Sequence, residues 1–345
     1  MKIAILNPTF SAFSGPDRVV ELQAEDFSKK GDSVTILALK AGMKAPKNVK
    51  IIEIGMPKNH TFERIYRLLF FLDFKKINKY VKMLKGYDLV ISHQYPMNVI
   101  ALRAKNKYGL KYVYHNQGVA YPELFRSVIE RVYMRIFRWL TNFTAKRADE
   151  AVSISKFLQR ELKNETGKDS RIVYDTINRE RFHSGISGER IRKKYGFGNK
   201  PICLYVGRIS PHKGIHLLIN AFNIVLKKIP NARLLIVGKE TFGNYAKELK
   251  ALANKVNPSS IIFTGFVPDK ELPYYYAACN IYTTASMWEG FDMPIVEAAA
   301  CGKPSIVFNI GAHKEVLKKG KLVKAGDVKE FSKAIMGYFK NENKK

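Results

Sequence analysis

Short runs of consecutive apolar residues alternate along this chain with longer stretches whose apolar positions recur every three to four residues. Runs of the first kind, "KIAIL" at 2–6, "SVTILAL" at 33–39, "VKIIEI" at 49–54, "DLVIS" at 88–92 and "KYVYH" at 111–115, predict strands covered on both faces. Stretches of the second kind at 17–30, 63–84, 97–108 and 124–146 predict the helices between them. "DEAVSIS" at 149–155 predicts a further strand, with a helix starting from Ser155. Strand–helix alternation of this sort implies a parallel sheet with helices on its faces.

The pattern then starts again. Strands are expected at 201–208, 232–238, 260–266, 280–286 and 304–308. Helices are expected at 213–228, 243–256, 269–278, from about Pro294, at 312–318 and at 327–340. The fold class is therefore α/β, with two doubly wound Rossmann-like domains. The expected boundaries are 1–172 for the first, a linker over 173–200, and 201–345 for the second. A chain of 345 residues has room for two cores.

Charge changes the picture. The formal net charge is +29. Lys and Arg outnumber Asp and Glu by 32 to 18 in residues 1–180 and by 27 to 12 beyond, excesses of 14 and 15. The charge is thus a property of both domains and not of a tail, and it favours anionic partners or phosphorylated substrates. The longest apolar runs, such as "LLFFL" at 68–72, are too short to span a bilayer. "MKIAIL" reads as a first strand rather than a signal peptide, so a cytoplasmic location is expected. Cys203, Cys279 and Cys301 form no paired motif and are expected to be buried small hydrophobes, with no metal site.

Candidate chemistry concentrates in the second half. In "YVGRISPHKGI" (205–215), Gly207 lets the backbone turn at a strand end and Arg208 emerges at the carboxyl edge of the sheet, where open α/β sheets bind ligands. Lys213 falls where the next helix is expected to start, and helix amides attract anions. Together they form a candidate diphosphate clamp. "ASMWEGFDMPIVEAAACGKP" (285–304) then places Glu289 at the same edge and Glu297 in the expected first helical turn, with Pro294 at the expected first helical position. A carboxylate repels phosphate. The two acids are therefore expected to hold the sugar ends of a ligand while the cations hold its middle. Residues 290–293 form a loop whose amides can face that ligand. A simpler account, an acid complementing a helix dipole, suits Glu297 but not Glu289.

"GRISPHKG", "IIFTGFVPDKELPYYYAACNIYTTASMWEGFDMPIVEAAACGKPSI" and "GDVKEFSKAI" resemble the retaining GT-B glycosyltransferases of family GT4, over most of 201–340 and more weakly at 1–20 and 147–182. The resemblance implies two Rossmann-like domains facing a central cleft. It assigns Glu289 to the donor sugar, Glu297 to the ribose, and Arg208 and Lys213 to the donor diphosphate. Phe266 and Val267 match the segment that receives the nucleobase, and Gly207, Gly290, Phe291, Asp292 and Met293 complete the donor site. Gly15 is what remains in "NPTFSAFSGPDRVV" (7–20) of the family's glycine-rich loop, with Pro16 and Asp17 departing from it. His115, at a strand end, matches a histidine near the reacting sugar. The resemblance thus assigns catalysis to Glu289, His115, Arg208 and Lys213. The chain stops soon after "GDVKEFSKAI", where most members continue, so either looser domain closure or a contact supplied by another subunit is expected.

The expected activity is transfer of a mannosyl or glucosyl group from a GDP-mannose or UDP-glucose type donor to a glycan or lipid-linked acceptor. No cofactor or metal is expected, because the chain contains no D-x-D. A GT-B sugar-nucleotide epimerase or hydrolase is the alternative. A nucleic-acid-binding protein would suit the charge, but no signature of one is present, so no nucleic-acid partner is expected. Two stretches, 62–80 and 124–147, mix Arg and Lys with large apolar residues. They suit either ordinary packing of helices against the first sheet or peripheral attachment at the inner face of the cell membrane through an anionic membrane surface.

Overall fold

The computed structural model describes residues 1–11, 15–241 and 243–342. The chain divides into two compact units, Met1–Thr176 and Ile177–Lys345.

The first unit is built on a parallel sheet of β1 (Lys2–Phe10), β2 (Ser33–Ala41), β3 (Val49–Glu53), β4 (Leu89–Ser92), β5 (Lys111–Asn116), β6 (Glu150–Ser153) and β7 (Arg171–Ile172). They lie in the order β3-β2-β1-β4-β5-β6-β7. The continuous apolar runs follow from this arrangement. Ala4 and Leu6 of β1 point into a core shared with α3 (Phe74–Met83) and α4 (Met97–Tyr108), while Ile3 and Ile5 point into a second core with Val20 and Ala24 of α1 (Gly15–Lys29). A strand covered on both faces cannot afford the polar alternation of a half-exposed one.

The second unit repeats the plan with β8 (Ile202–Val206), β9 (Arg233–Val237), β10 (Ile261–Gly265), β11 (Ile281–Thr284), β12 (Ser305–Phe308) and β13 (Gly320–Val323). All pairings are parallel, in the order β10-β9-β8-β11-β12-β13. Its helices are α7 (Glu189–Lys194), α8 (Ile215–Leu226), α9 (Gly243–Val256), α10 (Leu272–Ala278), α11 (Met293–Ala300), α12 (His313–Val316) and α13 (Val328–Glu342).

The helix expected over 63–84 is interrupted. α2 (His60–Leu69) runs into a single 3-10 turn, and α3 starts afresh after Asp73. The cause is the Asp73 side chain. Its Oδ1 accepts from the backbone N–H of Lys76 at 3.1 Å, capping α3, and its Oδ2 accepts from the Tyr66 hydroxyl at 2.8 Å. The helix expected over 124–146 begins later, as α5 (Val128–Ala145), behind a 3-10 turn at Pro122–Leu124. α6 (Lys156–Thr166) starts where expected, because Ser155 Oγ accepts from Leu158 N–H at 3.1 Å. Residues 189–194 of the expected linker form α7, which packs on α10 inside the second unit. The edge strands β7 and β13 carry no apolar run and were not expected. The three cysteines are buried and form no disulfide.

Asp73→Ala is expected to lower stability by about 1–2 kcal/mol, since it removes a cap and a half-buried tyrosine's acceptor. Asp73→Asn, which keeps an acceptor, should lose less. Urea denaturation of the three chains checks this.

Candidate active site

Sheet order reverses between β8 and β11. After β8 the chain crosses to β9 on one side, and β11 enters on the other. The loops following those two strands therefore meet at the carboxyl edge, the place where open parallel sheets leave a crevice. One loop carries Gly207, Arg208 and Lys213, and the other carries Glu289 to Asp292.

Backbone packing brings the two loops together. Lys213 closes a 3-10 turn at Pro211–Lys213 and precedes α8, rather than starting it. Gly214 follows at φ 61°, and a Cβ there would lie 1.9 Å from the carbonyl oxygen of Ala285. Only glycine fits that approach. Met287 N–H donates to the His212 carbonyl at 2.8 Å. On the far side, Gly311 (φ 46°) lies so close to the Glu289 carbonyl that a Cβ would meet it at 2.2 Å, and Ala312 N–H donates to that carbonyl at 3.2 Å. The segment 285–289 is thus held between the loop after β8, at Ala285 and Met287, and the loop after β12, at Glu289.

The result is direct contact. Lys213 Nζ donates to Glu289 Oε1 at 2.5 Å, with side chains 16% and 8% exposed. The sequence placed a cation and an acid at one edge; the fold makes them an ion pair. Arg208 is exposed at the strand end, and its carbonyl accepts from the Tyr205 hydroxyl at 3.0 Å. His212 is buried, and burial first, then the Lys213 and Arg208 cations, hold it well below the ordinary histidine value.

Asp292 is a non-glycine residue in the left-handed region, at φ 77° and ψ 71°, immediately before α11. A buried histidine secures it. His313 Nε2 lies 3.0 Å from Asp292 Oδ2, and His313 Nδ1 lies 2.6 Å from the Phe308 carbonyl. A carbonyl can only accept, so Nδ1 carries a proton, and the Nε2 contact with a carboxylate then calls for a second one. Burial opposes that charge. The hydrogen bond and charge of Asp292, with the charge of Glu289 behind, still hold His313 above its ordinary value. Sequence reasoning missed His313, although "NIGAHKEV" follows a strand and reaches the same edge.

Glu289, Asp292 and His313 bring donor atoms within 4.8 Å of one another. Each carboxylate already faces a protein cation, Lys213 on Glu289 and His313 on Asp292, so the set reads as two coupled ion pairs.

Glu297 differs from expectation. α11 starts at Met293, Pro294 is its second residue rather than its first, and Glu297 falls in the second turn. It is buried, and its Oε2 accepts from the Tyr276 hydroxyl of α10 at 2.7 Å. Gly290, Phe291 and Met293 are buried around the loop. At the end of β10, Phe266 is 41% exposed and Val267 is buried.

In the first unit, residues 12–14 of the loop after β1 lie outside the described residues. Gly15 is the first residue of α1. Asp17 is fully buried there, and its carboxylate accepts from Asn7 Nδ2 at 2.8 Å, the Thr9 hydroxyl at 2.9 Å, and Ser11 N–H at 2.8 Å and its hydroxyl at 2.7 Å. A carboxylate two residues past Gly15 opposes a phosphate, so phosphate approach at Gly15 gains no support from the fold. His115, at the end of β5, stacks on His93 from the end of β4 with ring centroids 4.5 Å apart. Gln117 Nε2 donates to His115 Nδ1 at 3.1 Å, which fixes the proton of a neutral ring on Nε2. Burial, with the Arg171 cation second, lowers His115 to about 4, so it is neutral near pH 7.

Residues 187–345 match the family model described as Glycosyl transferases group 1, and residues 13–181 match Glycosyltransferase Family 4. The chain is 37% identical over 133 residues to the putative glycosyltransferase YtcC of Bacillus subtilis (strain 168), covering 37% of this chain and 32% of that one. It is 29% identical over 157 residues to the GDP-mannose-dependent alpha-(1-6)-phosphatidylinositol monomannoside mannosyltransferase of Mycolicibacterium smegmatis (strain ATCC 700084 / mc(2)155), covering 42% and 40%. The matches thus span less than half the length of these relatives. The structure of Anabaena Alr3699/HepE in complex with UDP and glucose superposes with a TM-score of 0.79 at 21% identity, covering 100% of this chain and 91% of that one. At that identity the likeness establishes the fold, which is GT-B.

His313 gives a pH signature. Its folded value is raised, so its contribution to stability is complete below the ordinary histidine value of 6.5 and is lost as pH rises through the raised value. The thermal midpoint of the parent should therefore fall across that window relative to Asp292→Asn/His313→Gln, which has no such charge to lose. Parallel midpoint-versus-pH curves would contradict the assignment.

Proposed function

The chain belongs to the glycosyltransferases described as Glycosyl transferases group 1, and from that premise we propose that it transfers a hexosyl group, mannosyl or glucosyl, from a nucleoside-diphosphate sugar. The acceptor is a glycan or a lipid-linked glycan, and the anomeric configuration is retained. The observation that carries this reading is the convergence of Arg208, Lys213 and Glu289 at the reversal point of the second sheet. Two cations with one acid suit a ligand that is anionic in its middle and hydroxylated at its end.

The donor diphosphate would sit against Arg208 and Lys213. Lys213 has three N–H donors and spends one on Glu289, so it can keep that contact while binding phosphate oxygen. As the bond to the sugar breaks, charge develops on the leaving phosphate. A preorganised cation stabilises that charge more than it stabilises the ground state. The leaving phosphate would take the acceptor proton on the same face of the sugar. Glu289, held in place by Lys213, would hydrogen-bond the sugar, and Phe266 would offer a face to the base. His115 would supply a neutral Nε2–H to a sugar hydroxyl. The relative named for GDP-mannose and the neighbouring structure holding UDP and glucose support a donor of the GDP-mannose or UDP-glucose type.

Thermal shift against a panel of nucleotide sugars tests the reading. A donor at 100 times its Kd should add about 2.7 kcal/mol of stability. Failure of every member to raise the midpoint would overturn it. Arg208→Ala and Lys213→Ala should each weaken turnover by about 2–4 kcal/mol, the scale of losing a charged transition-state contact.

Glu289→Gln should mainly lower kcat. Glu297→Gln should mainly raise the donor KM, because it loosens α11 against α10 through Tyr276. Steady-state kinetics on both variants separates these roles.

Turnover should survive EDTA, since lysine and arginine supply the positive charge. Loss in EDTA with rescue by Mg²⁺ or Mn²⁺ would show instead that a metal enters near Glu289, Asp292 and His313.

A further inference from the structure

α5 is apolar on two faces. Its inner face buries Phe137, Thr141, Thr144 and Ala145 in the first unit. Its outer face carries Val128, Ile129, Val132, Ile136, Trp139 and Phe143, which are 41–81% exposed. Positions 128, 132, 136, 139 and 143 repeat at the helical period, so they form one stripe about 22 Å long at 1.5 Å per residue.

α2 lies beside it. Arg64 of α2 reaches Glu130 at 3.8 Å and sits over the Tyr133 ring at 5.8 Å, both on α5. α2, the turn after it and the first residue of α3 add Phe62, Ile65, Leu69, Leu72 and Phe74, 44–63% exposed. Of the fifteen exposed large hydrophobic residues among those described, eleven lie in residues 62–74 and in α5. Scattered exposed apolar residues need no explanation, but a contiguous patch does. No helix among the described residues is long and apolar enough to cross a membrane.

Cations border the stripe. Arg126, Arg131, Arg135, Lys146 and Arg147 are exposed along α5 and its ends, and the Arg147 guanidinium lies 3.7 Å from the centre of the Phe143 ring. Glu123 pairs with Arg135 and Glu130 faces Arg64, so the acids nearby offset only part of this charge. A second copy is a poor occupant, because each chain carries a net charge of +29 and would bring its own arginines to the contact. An apolar stripe flanked by arginines, with a tryptophan on the stripe, suits the boundary between lipid headgroups and acyl chains.

We propose that the outer faces of α2 and α5 form a docking surface for an anionic lipid leaflet. The apolar stripe enters the acyl boundary, and the arginines meet the headgroup phosphates. The inference rests on the glycosyl-transfer reading only for its purpose, since a lipid-linked acceptor remains in the leaflet.

The full chain is mixed with phosphatidylcholine vesicles, with and without about 30 mol% phosphatidylglycerol, and sedimented at two salt concentrations. The parent should bind the anionic vesicles alone, and less at high salt, where exposed charges are screened beyond about 8 Å. Ile129→Gln/Trp139→Gln should reduce binding at least about tenfold. Arg131→Gln/Arg135→Gln should reduce it and flatten its salt dependence. Both variants should keep the parent's thermal midpoint and its shift with the best nucleotide sugar. Absence of parental binding at low salt would overturn the proposal. So would unchanged binding in both variants, or a concentration-dependent dimer abolished by Ile129→Gln/Trp139→Gln without effect on vesicles. Vesicle binding without any nucleotide-sugar shift would leave the docking surface standing and remove the glycosyl-transfer reading.

Discussion

Parallel pairing of β8 with both β9 and β11 is the constraint on which the candidate site depends. Parallel strands send every following loop to one edge, but neighbouring loops normally cross the sheet in the same direction and crowd each other. Where the order reverses, they diverge and leave space. Lys213 and Glu289 face that space from the two sides, and their ion pair ties the loops across it. Removing one partner would leave a largely buried charge without its counterpart, which costs about 3–5 kcal/mol in such pairs. The pair therefore acts as a brace for the site as well as part of its chemistry.

Electrostatics extends outward from that brace. Asp292 and His313 form a second pair one loop further on, and it secures a backbone conformation that L-residues seldom adopt. The two pairs share Glu289 as a neighbour, because its charge also raises His313 above its ordinary value. Charge around the reversal point is thus largely balanced within the protein. Arg208 remains exposed at the strand end, on the side from which a ligand would arrive.

Much of this was legible in the sequence because parallel, doubly covered strands are written as apolar runs, and the loops that matter follow those runs. α4 and α9 fall on their expected ranges, where Gly109 at φ 68° ends the one and clear apolar periodicity marks the other. Asp73 hid the break between α2 and α3, since an aspartate within an amphipathic stretch looks like an exposed helical residue until Lys76 N–H is seen to bond to it. β13 was hidden because an edge strand needs only one partner and carries lysines. Within the site, Arg208, Lys213 and Glu289 could be found from position along the chain. The pairing of Lys213 with Glu289, of Asp292 with His313 and of Glu297 with Tyr276 could not, because those partners are 76, 21 and 21 residues apart. Asp17 is similar: in sequence it is an oddity in a loop, and in the fold it is the buried acceptor for the end of β1 and for Ser11.

The two-faced character of α5 bears on how the molecule behaves when no leaflet is near. A patch of large apolar side chains in water attracts its copies at short range, and a net charge of +29 keeps them apart at longer range. These forces respond differently to salt. Screening shortens the repulsion while leaving the attraction between apolar faces in place. Charge is therefore what opposes contact between the stripes. In concentrated salt the repulsion that separates the molecules is screened, and contact between their stripes becomes correspondingly easier.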